Sequence, residues 1–237
     1  MKWVADIQSS YGCRLICTGT DIDDAMEERY LKFCNGACDM DHPVFDVESF
    51  IDNVLRKERI EYDPEAVDLP ENVLGATKFN PDGSKLIRIS AELYRQRNLS
   101  VGRRRFRFTC AHESFHAMYH GQLFRNNGHL ICSDENIKED MIEAQQSSKD
   151  FTEWQANRGA AALLMPHSIF KESVKRIRSK IGSMNSPALV DSLMKLFDVS
   201  KQSVQIRLKT LDLMIMPADD LIPEYNGVNC CVDERER

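Results

Sequence analysis

Two histidines and a glutamate stand at a spacing that suits metal-assisted hydrolysis. His112 and His116 are four positions apart, and Glu113 follows the first of them directly. On a helix, positions i and i+4 lie on one face about one turn apart, so both imidazoles can bind the same metal ion. Zinc lowers the pKa of a bound water to about 7, and a neighbouring carboxylate can then take its proton as it attacks a peptide carbonyl. The pattern therefore predicts a zinc site in which Glu113 is the general base.

A catalytic zinc site also needs a third protein ligand and an open position. His120 lies eight positions after His112, so it drifts off the ligand face of the helix and is expected at the edge of the site. Glu153 opens the next predicted helix, although its spacing from Asp150 also fits a capping box. Spacing alone leaves the third ligand open among His120, His129, Asp140, Glu143 and Glu153.

The helix that carries the histidines belongs to a mainly helical pattern. Two strand-like runs at 72–79 and 85–90 flank a Pro-Asp-Gly turn and predict a β-hairpin. We therefore assign the chain to the α+β class, with a small antiparallel sheet against a mainly helical zinc-peptidase core and helix-turn-helix-like helices at the C-terminal end. Helical periodicity predicts helices at about 21–33, 44–60, 103–120, 150–165, 169–181, 186–197 and 201–214.

The composition is typical of a globular protein. With 237 residues, of which 42% are hydrophobic and 29% charged, the chain can bury a core, and general disorder is excluded. The longest purely apolar run, Ala160–Met165, is far shorter than the roughly 20 residues that cross a bilayer. The first residues lack the apolar stretch of a signal peptide. We therefore expect a cytoplasmic protein without membrane contact.

Four cysteines fall as two i, i+4 pairs near the N-terminus. A second zinc ion could be shared by these pairs, although structural zinc sites more often use cysteines three positions apart. In a cytoplasmic chain the favoured interpretation is ordinary free thiols. The residues concerned are Cys13, Cys17, Cys34 and Cys38.

Two helical blocks resemble the ImmA/IrrE family of metallopeptidases. The first is RFRFTCAHESFH at 105–116, and the second is EWQAN at 153–157 with AALLMP at 161–166. The similarity covers roughly residues 45–215. It implies a gluzincin-like core in which Glu153 is the third zinc ligand, beside the two histidines and the general base named above.

The chain departs from the family pattern at one helix contact. Members usually have Leu-Gly inside the zinc motif, where this chain has Ser114 and Phe115. Members usually have a phenylalanine two residues beyond Asn157, where this chain has Gly159. A swap of volume across the same contact would explain both changes. The family pattern does not explain residues 1–43 or the polar insertion at 121–148.

The resemblance also implies a function. It predicts a zinc-dependent endopeptidase that cleaves a helix-turn-helix transcriptional repressor and so derepresses stress or mobile-element genes. The alternative is a transcription regulator, or a binding partner of a repressor, that uses the peptidase fold without cleaving. The donor that stabilises the oxyanion stays open among Arg105, Tyr119, His120 and His129.

The C-terminal helices raise the question of direct DNA binding. Residues 171–210 hold nine basic and three acidic residues, and the two helices within 186–214 resemble a helix-turn-helix. The favoured interpretation is a helical hairpin that completes the core, which leaves DNA binding as the less favoured one. The residues that could face DNA are Lys201, Gln202, Gln205, Arg207 and Lys209.

These patterns divide the chain into four predicted parts. They are an acidic cysteine-containing extension (1–43), a zinc metallopeptidase domain (44–182), a helix-turn-helix-like segment (183–215) and a tail (216–237).

Overall fold

A computed structural model describes residues 1–6, 12–36, 38–124, 128–133, 148–181 and 186–213. The strands in these ranges are β1 (Lys2–Ala5), β2 (Cys13–Ile16), β3 (Ile60–Ala66), β4 (Val73–Phe79), β5 (Lys85–Ser90) and β6 (Gly128–Ser133). The α-helices are α1 (Gly19–Phe33), α2 (Val47–Asn53), α3 (Ala91–Gln96), α4 (Ser100–Tyr119), α5 (Ser148–Leu164), α6 (His167–Ile181), α7 (Ser186–Phe197) and α8 (Lys201–Thr210). The architecture is α+β, as predicted. The predicted tail at 216–237 lies outside the described residues.

The main sheet is mixed, which corrects the prediction of an antiparallel one. Its strand order is β3-β5-β4-β6. The predicted hairpin is confirmed as β4 and β5, which pair antiparallel with Gly75 opposite Ile89. Strand β6 adds antiparallel to β4, whereas β3 pairs parallel to β5 with Ile60 opposite Lys85. The sheet therefore has an edge strand at each side that the sequence did not predict.

The predicted helix at 44–60 is wrong in its second half. Helix α2 ends at Asn53, and a short 3-10 helix at Leu55–Glu58 follows. Arg59 then adopts a left-handed conformation with φ 62°, which turns the chain into β3. Pro64 is tolerated in β3 because this strand lies at the sheet edge, where a missing N–H costs little.

Helix α4 is the centre of the fold. Every residue from Phe106 to Ala117 is buried, so the helix is covered on all sides. It packs against β4 and β5 on one side and against α5 on another. A helix enclosed in this way holds its polar side chains in fixed positions, which is what a catalytic site requires.

The contact between α4 and α5 places Phe115 directly against Gly159, as a swap of volume across this contact requires. A Cβ atom placed on Gly159 would lie 2.0 Å from Cδ2 of Phe115. The phenylalanine ring therefore occupies the space that a side chain at position 159 would need. Because Ala156 and Ala160 are also small and fully buried, the two helices approach closely beside the histidines of α4.

Gly159→Ala is expected to lower the free energy of unfolding by up to about 2 kcal/mol. Overpacking usually costs about 1–3 kcal/mol, and the roughly 1 kcal/mol that alanine gains over glycine in a helix interior offsets part of this cost. Urea denaturation followed by circular dichroism measures the change. In a Phe115→Leu background the loss should be smaller. An equal loss in both backgrounds would show that the ring is not the cause.

The N-terminal segment packs on the core through α1. This helix contacts α5 and α6, and its Ile22, Met26 and Tyr30 are buried. It also buries two carboxylates, those of Asp23 and Glu27. The predicted boundary at residue 43 stays a prediction, but residues on both sides of it belong to one hydrophobic cluster.

A buried group of charges joins α1 to α5 and α8. Asp23 accepts a hydrogen bond from Arg158 Nε at 3.2 Å and one from Arg207 Nη1 at 2.6 Å. The Arg207 side chain has no exposed surface, and it also donates to the backbone oxygen of Met165. Burial lowers the pKa of Arg207, while the nearby Asp23 carboxylate opposes this shift. The three side chains thus form one ion-pair cluster inside the protein.

The C-terminal hairpin is present as predicted. Ser200 caps α8 by accepting a hydrogen bond from the Ser203 backbone at 3.0 Å. In the connecting turn, Asp198 adopts φ 48° and its carboxylate pairs with Arg103 and Arg104 of α4. Leu193, Phe197, Val204 and Leu208 are buried and belong to the main hydrophobic cluster.

The prediction that Arg207 could face DNA is wrong. Arg207 is buried and paired, so in this structure it cannot reach a nucleic acid. Lys201 and Gln202 are exposed, whereas Gln205 and Lys209 are half-buried. Among the described helices none combines the length and the apolar character needed to cross a membrane.

Candidate metal centre

Three buried side chains converge where α4 faces α5. His112 and His116 come from α4, and Glu153 comes from the first half of α5. One ligand atom from each of them lies within 4.8 Å of the others. The Nε2 atoms of the histidines are 2.9 Å apart, and Glu153 oxygens lie 3.2 Å from His112 and 3.4 Å from His116. The predicted trio is therefore assembled at one point.

The donor set fits a zinc ion. Both carboxylate oxygens of Glu153 are buried and accept no hydrogen bond of normal geometry. A buried carboxylate in this state is costly unless a cation neutralises it. Two imidazole nitrogens and one carboxylate oxygen form a ligand set found in catalytic zinc sites, which keep a fourth position open. Burial alone would raise the pKa of Glu153, but the His116 and His112 rings hold it below its usual range.

Asn157 orients the first histidine. Its Oδ1 atom lies 3.0 Å from Nδ1 of His112. Because an amide oxygen only accepts, Nδ1 of His112 carries the proton and Nε2 keeps its lone pair toward the other ligands. Asn157 is four positions after Glu153 in α5, so one helical face supplies both a ligand and the orienting amide.

His120 lies behind the second histidine, at the edge of the trio. Its Nδ1 atom is 2.7 Å from Nδ1 of His116, and its Nε2 atom is 2.9 Å from Oε1 of Gln155. The ring is completely buried. Burial lowers the pKa of His120 to about 3, so the imidazole is neutral near neutral pH.

Glu113 is held from the sheet side. The Thr77 hydroxyl of β4 donates to Oε2 of Glu113 at 2.6 Å, and it also lies 3.1 Å from the Glu113 backbone oxygen. The second carboxylate oxygen, Oε1, is buried without a hydrogen-bond partner. A Cβ atom on Gly75 would lie 3.0 Å from Cγ of Glu113, so the glycine leaves room for this side chain.

Burial sets the electrostatic state of Glu113. It raises the pKa of this carboxyl group to about 7, while His112 and the Thr77 hydroxyl act in the opposite direction. A carboxyl group with a pKa near neutrality can both take up and return a proton. Neither Thr77 nor Gly75 was found from the sequence. The predicted strand contained both residues, but no local pattern shows which strand position lies under Glu113.

The remaining candidates are not part of the trio. Asp140 and Glu143 lie outside the described residues, and His129 falls in β6 at the register position opposite Lys78. Of the oxyanion candidates, Tyr119 has its ring against Phe115 with centroids 4.8 Å apart. Arg105 lines a cavity of about 400 Å³ between α3, α4 and the start of β4.

The paired cysteines do not gather into a metal site. Cys13, Cys17, Cys34 and Cys38 are not joined in disulfides. Within the described ranges, the trio on α4 and α5 is the only group of histidine, cysteine and carboxylate residues close enough to share an ion. Cys17 instead lies against Gln155, and Cys38 lies 3.3 Å from the hydroxyl of Tyr30. The assignment of these cysteines as ordinary thiols stays a prediction.

Comparison with known protein families supports the predicted resemblance. A peptidase family described as the IrrE N-terminal-like domain matches residues 75–209, which is more than half of the chain. The match includes the parts of α4 and α5 that hold the whole trio. Among curated proteins, none matches the chain. The chain therefore belongs to the IrrE N-terminal-like peptidase family, and it is a metallopeptidase of the ImmA/IrrE type.

Proposed function

We propose that this protein is a zinc-dependent endopeptidase that hydrolyses a peptide bond in a protein substrate. The proposed zinc ligands are His112, His116 and Glu153, and the proposed general base is Glu113. The observation that carries the proposal is the buried convergence of the trio beside a carboxylate with one unpartnered oxygen. When bound, zinc supplies Lewis acidity, which polarises the scissile carbonyl and makes water a better nucleophile.

Side chains of the protein itself orient the groups and transfer the proton. Asn157 holds His112 in the tautomer that presents Nε2. The Thr77 hydroxyl occupies Oε2 of Glu113, which leaves Oε1 to accept a proton from the attacking water. The same oxygen can then return the proton to the leaving amine. Burial of all these groups excludes bulk water and strengthens their electrostatic interactions.

The first test is the metal content of the full-length, untagged protein by elemental mass spectrometry. We expect about one zinc ion per chain, together with cleavage of a mixed peptide library whose products are identified by mass spectrometry. A chelator should abolish cleavage, and added zinc should restore it. A protein that takes up no zinc would overturn the proposal. One zinc without cleavage of any peptide or repressor would favour the alternative of a binding-only regulator.

Thr77→Val is expected to slow cleavage about 10- to 100-fold, the effect typical of lost partners that orient functional groups. Valine keeps the volume of threonine but cannot donate to Glu113, so the carboxylate loses its fixed orientation. Initial rates on one library peptide measure the effect, and zinc content should be unchanged. Thr77→Ser keeps the hydroxyl and should retain most of the activity. Equal rates for both variants and the wild type would remove Thr77 from this role.

We propose a helix-turn-helix repressor as the substrate and the cytoplasm as the site of cleavage, which would derepress stress or mobile-element genes. The resemblance to the ImmA/IrrE family supports this substrate class. Residues 1–70 hold seven basic and sixteen acidic residues. The exposed acidic side chains among them would attract a basic DNA-binding domain.

The charge contribution can be measured separately from cleavage. Replacing the exposed Glu28, Asp39 and Asp41 by their amides should weaken repressor binding and flatten its salt dependence. Unchanged affinity and salt dependence would exclude electrostatic attraction by this region, without bearing on the metal site.

A further inference from the structure

A series of buried hydrogen bonds leads from the metal centre to strand β2. It begins with Nδ1 of His116 and Nδ1 of His120, 2.7 Å apart, and continues from Nε2 of His120 to Oε1 of Gln155 at 2.9 Å. The Gln155 amide nitrogen then donates to the backbone oxygen of Leu15 at 2.8 Å. It also lies 3.2 Å from Sγ of Cys17. All five residues are buried, so water does not compete for these contacts.

The backbone oxygen of Leu15, at the end of this hydrogen-bond series, determines where the protons of the series lie. The backbone oxygen of Leu15 can only accept, so the Gln155 nitrogen must face it and Oε1 must face His120. Because Oε1 only accepts, the proton of the neutral His120 ring lies on Nε2, and its Nδ1 becomes an acceptor. His116 must then carry its own proton on Nδ1, which leaves the lone pair of Nε2 directed at the trio. The tautomer that a metal ligand needs is thereby fixed from β2.

The N-terminal hairpin, formed by β1 and β2, is anchored independently of these hydrogen bonds. Strands β1 and β2 pair antiparallel, with Leu15 opposite Trp3. Both strands precede the family match, which begins at residue 75. Leu15 and Cys17 belong to the main hydrophobic cluster, so the acceptor carbonyl lies on a packed segment.

We infer that His120 and Gln155 are positioning residues that connect the metal centre to β2, so that the N-terminal hairpin helps to set the zinc affinity. This inference rests on the proposed function, since it takes zinc as the ion held by the trio. Partners that orient a ligating histidine typically contribute 10- to 100-fold to metal affinity. The N-terminal segment is thus part of the site's support, although it lies outside the family domain.

The test measures zinc dissociation constants of full-length variants by competition with a chromophoric chelator. Gln155→Met removes both the acceptor and the donor at similar volume, and His120→Phe removes the acceptor for His116. Each should weaken zinc binding about 10- to 100-fold. Gln205→Met makes the same change at a half-buried position of α8, and it should leave the dissociation constant unchanged. Cobalt-substituted protein should show shifted visible absorption bands in the first two variants only.

Gln155→Glu isolates the link to β2. In its ionised form, the carboxylate can still accept from His120, but its second oxygen faces the Leu15 carbonyl and cannot donate to it. It should therefore weaken zinc binding as well, and it serves as the second variant where Gln155→Met does not fold by circular dichroism. Folded variants with the wild-type dissociation constant and cobalt spectrum would overturn the inference alone. A wild-type chain that takes up no zinc would overturn the proposed function and this inference together.

Discussion

Glu113→Gln is expected to lower the rate of peptide cleavage by about 100- to 10,000-fold, the range that general base catalysis supplies. Glutamine keeps the size of glutamate, and its oxygen can still accept the hydrogen bond from Thr77. It cannot take a proton from water, however, so the attack loses its base. Zinc content should stay at the wild-type value, because the proposed ligands are unchanged.

Two measurements on the same preparation make this result decisive. Initial rates on a library peptide report the chemical step, and elemental mass spectrometry reports the metal. Glu61→Gln, which makes the same change on the exposed surface of β3, is the matched control and should cleave normally. A Glu113→Gln protein that cuts at the wild-type rate would show that another group removes the proton.

Asp23→Asn is expected to lower the free energy of unfolding by about 3–5 kcal/mol, the cost of removing one partner from a buried ion pair. Two guanidinium groups, those of Arg158 and Arg207, depend on this one carboxylate. Without the negative charge, the fully buried Arg207 keeps its positive charge but has only neutral acceptors, the backbone oxygen of Met165 and the introduced amide oxygen. The loss therefore concerns a desolvated charge and not a surface contact.

Urea denaturation at neutral pH measures this difference. Asp24→Asn is the matched control, because Asp24 is the next residue of α1 and its side chain is 65% exposed. Substitutions of this exposed kind usually change stability by less than about 0.5 kcal/mol. Equal unfolding midpoints for the two variants would mean that the buried cluster adds nothing to stability.

The sequence identified the groups that a repeating pattern places together. His112 and His116 share a helical face, and the β4–β5 hairpin follows alternation around a Pro-Asp-Gly turn. The supporting residues on the same helices were within reach of this reasoning as well. Asn157 is four positions after Glu153, and His120 is four positions after His116, so each lies on the face of its ligand.

The elements that were missed lack such a pattern. Strand β3 contains Pro64 and few apolar residues, and its place at the sheet edge depends on pairing with β5 across more than twenty positions. Gly75 and Thr77 matter only because α4 crosses β4 at their position. Gln155 meets Leu15, which is 140 positions away. These relations arise from packing between distant segments, which local periodicity does not encode.

The ion-pair cluster of α1, α5 and α8 has a consequence for how the protein is made. Asp23 and Arg207 are 184 positions apart. Helix α1 therefore leaves the ribosome long before Arg207 in α8 has been synthesised. Contacts this distant in sequence form slowly, because a long loop must close first. The ion-pair cluster therefore cannot form during synthesis until Arg207 has left the ribosome.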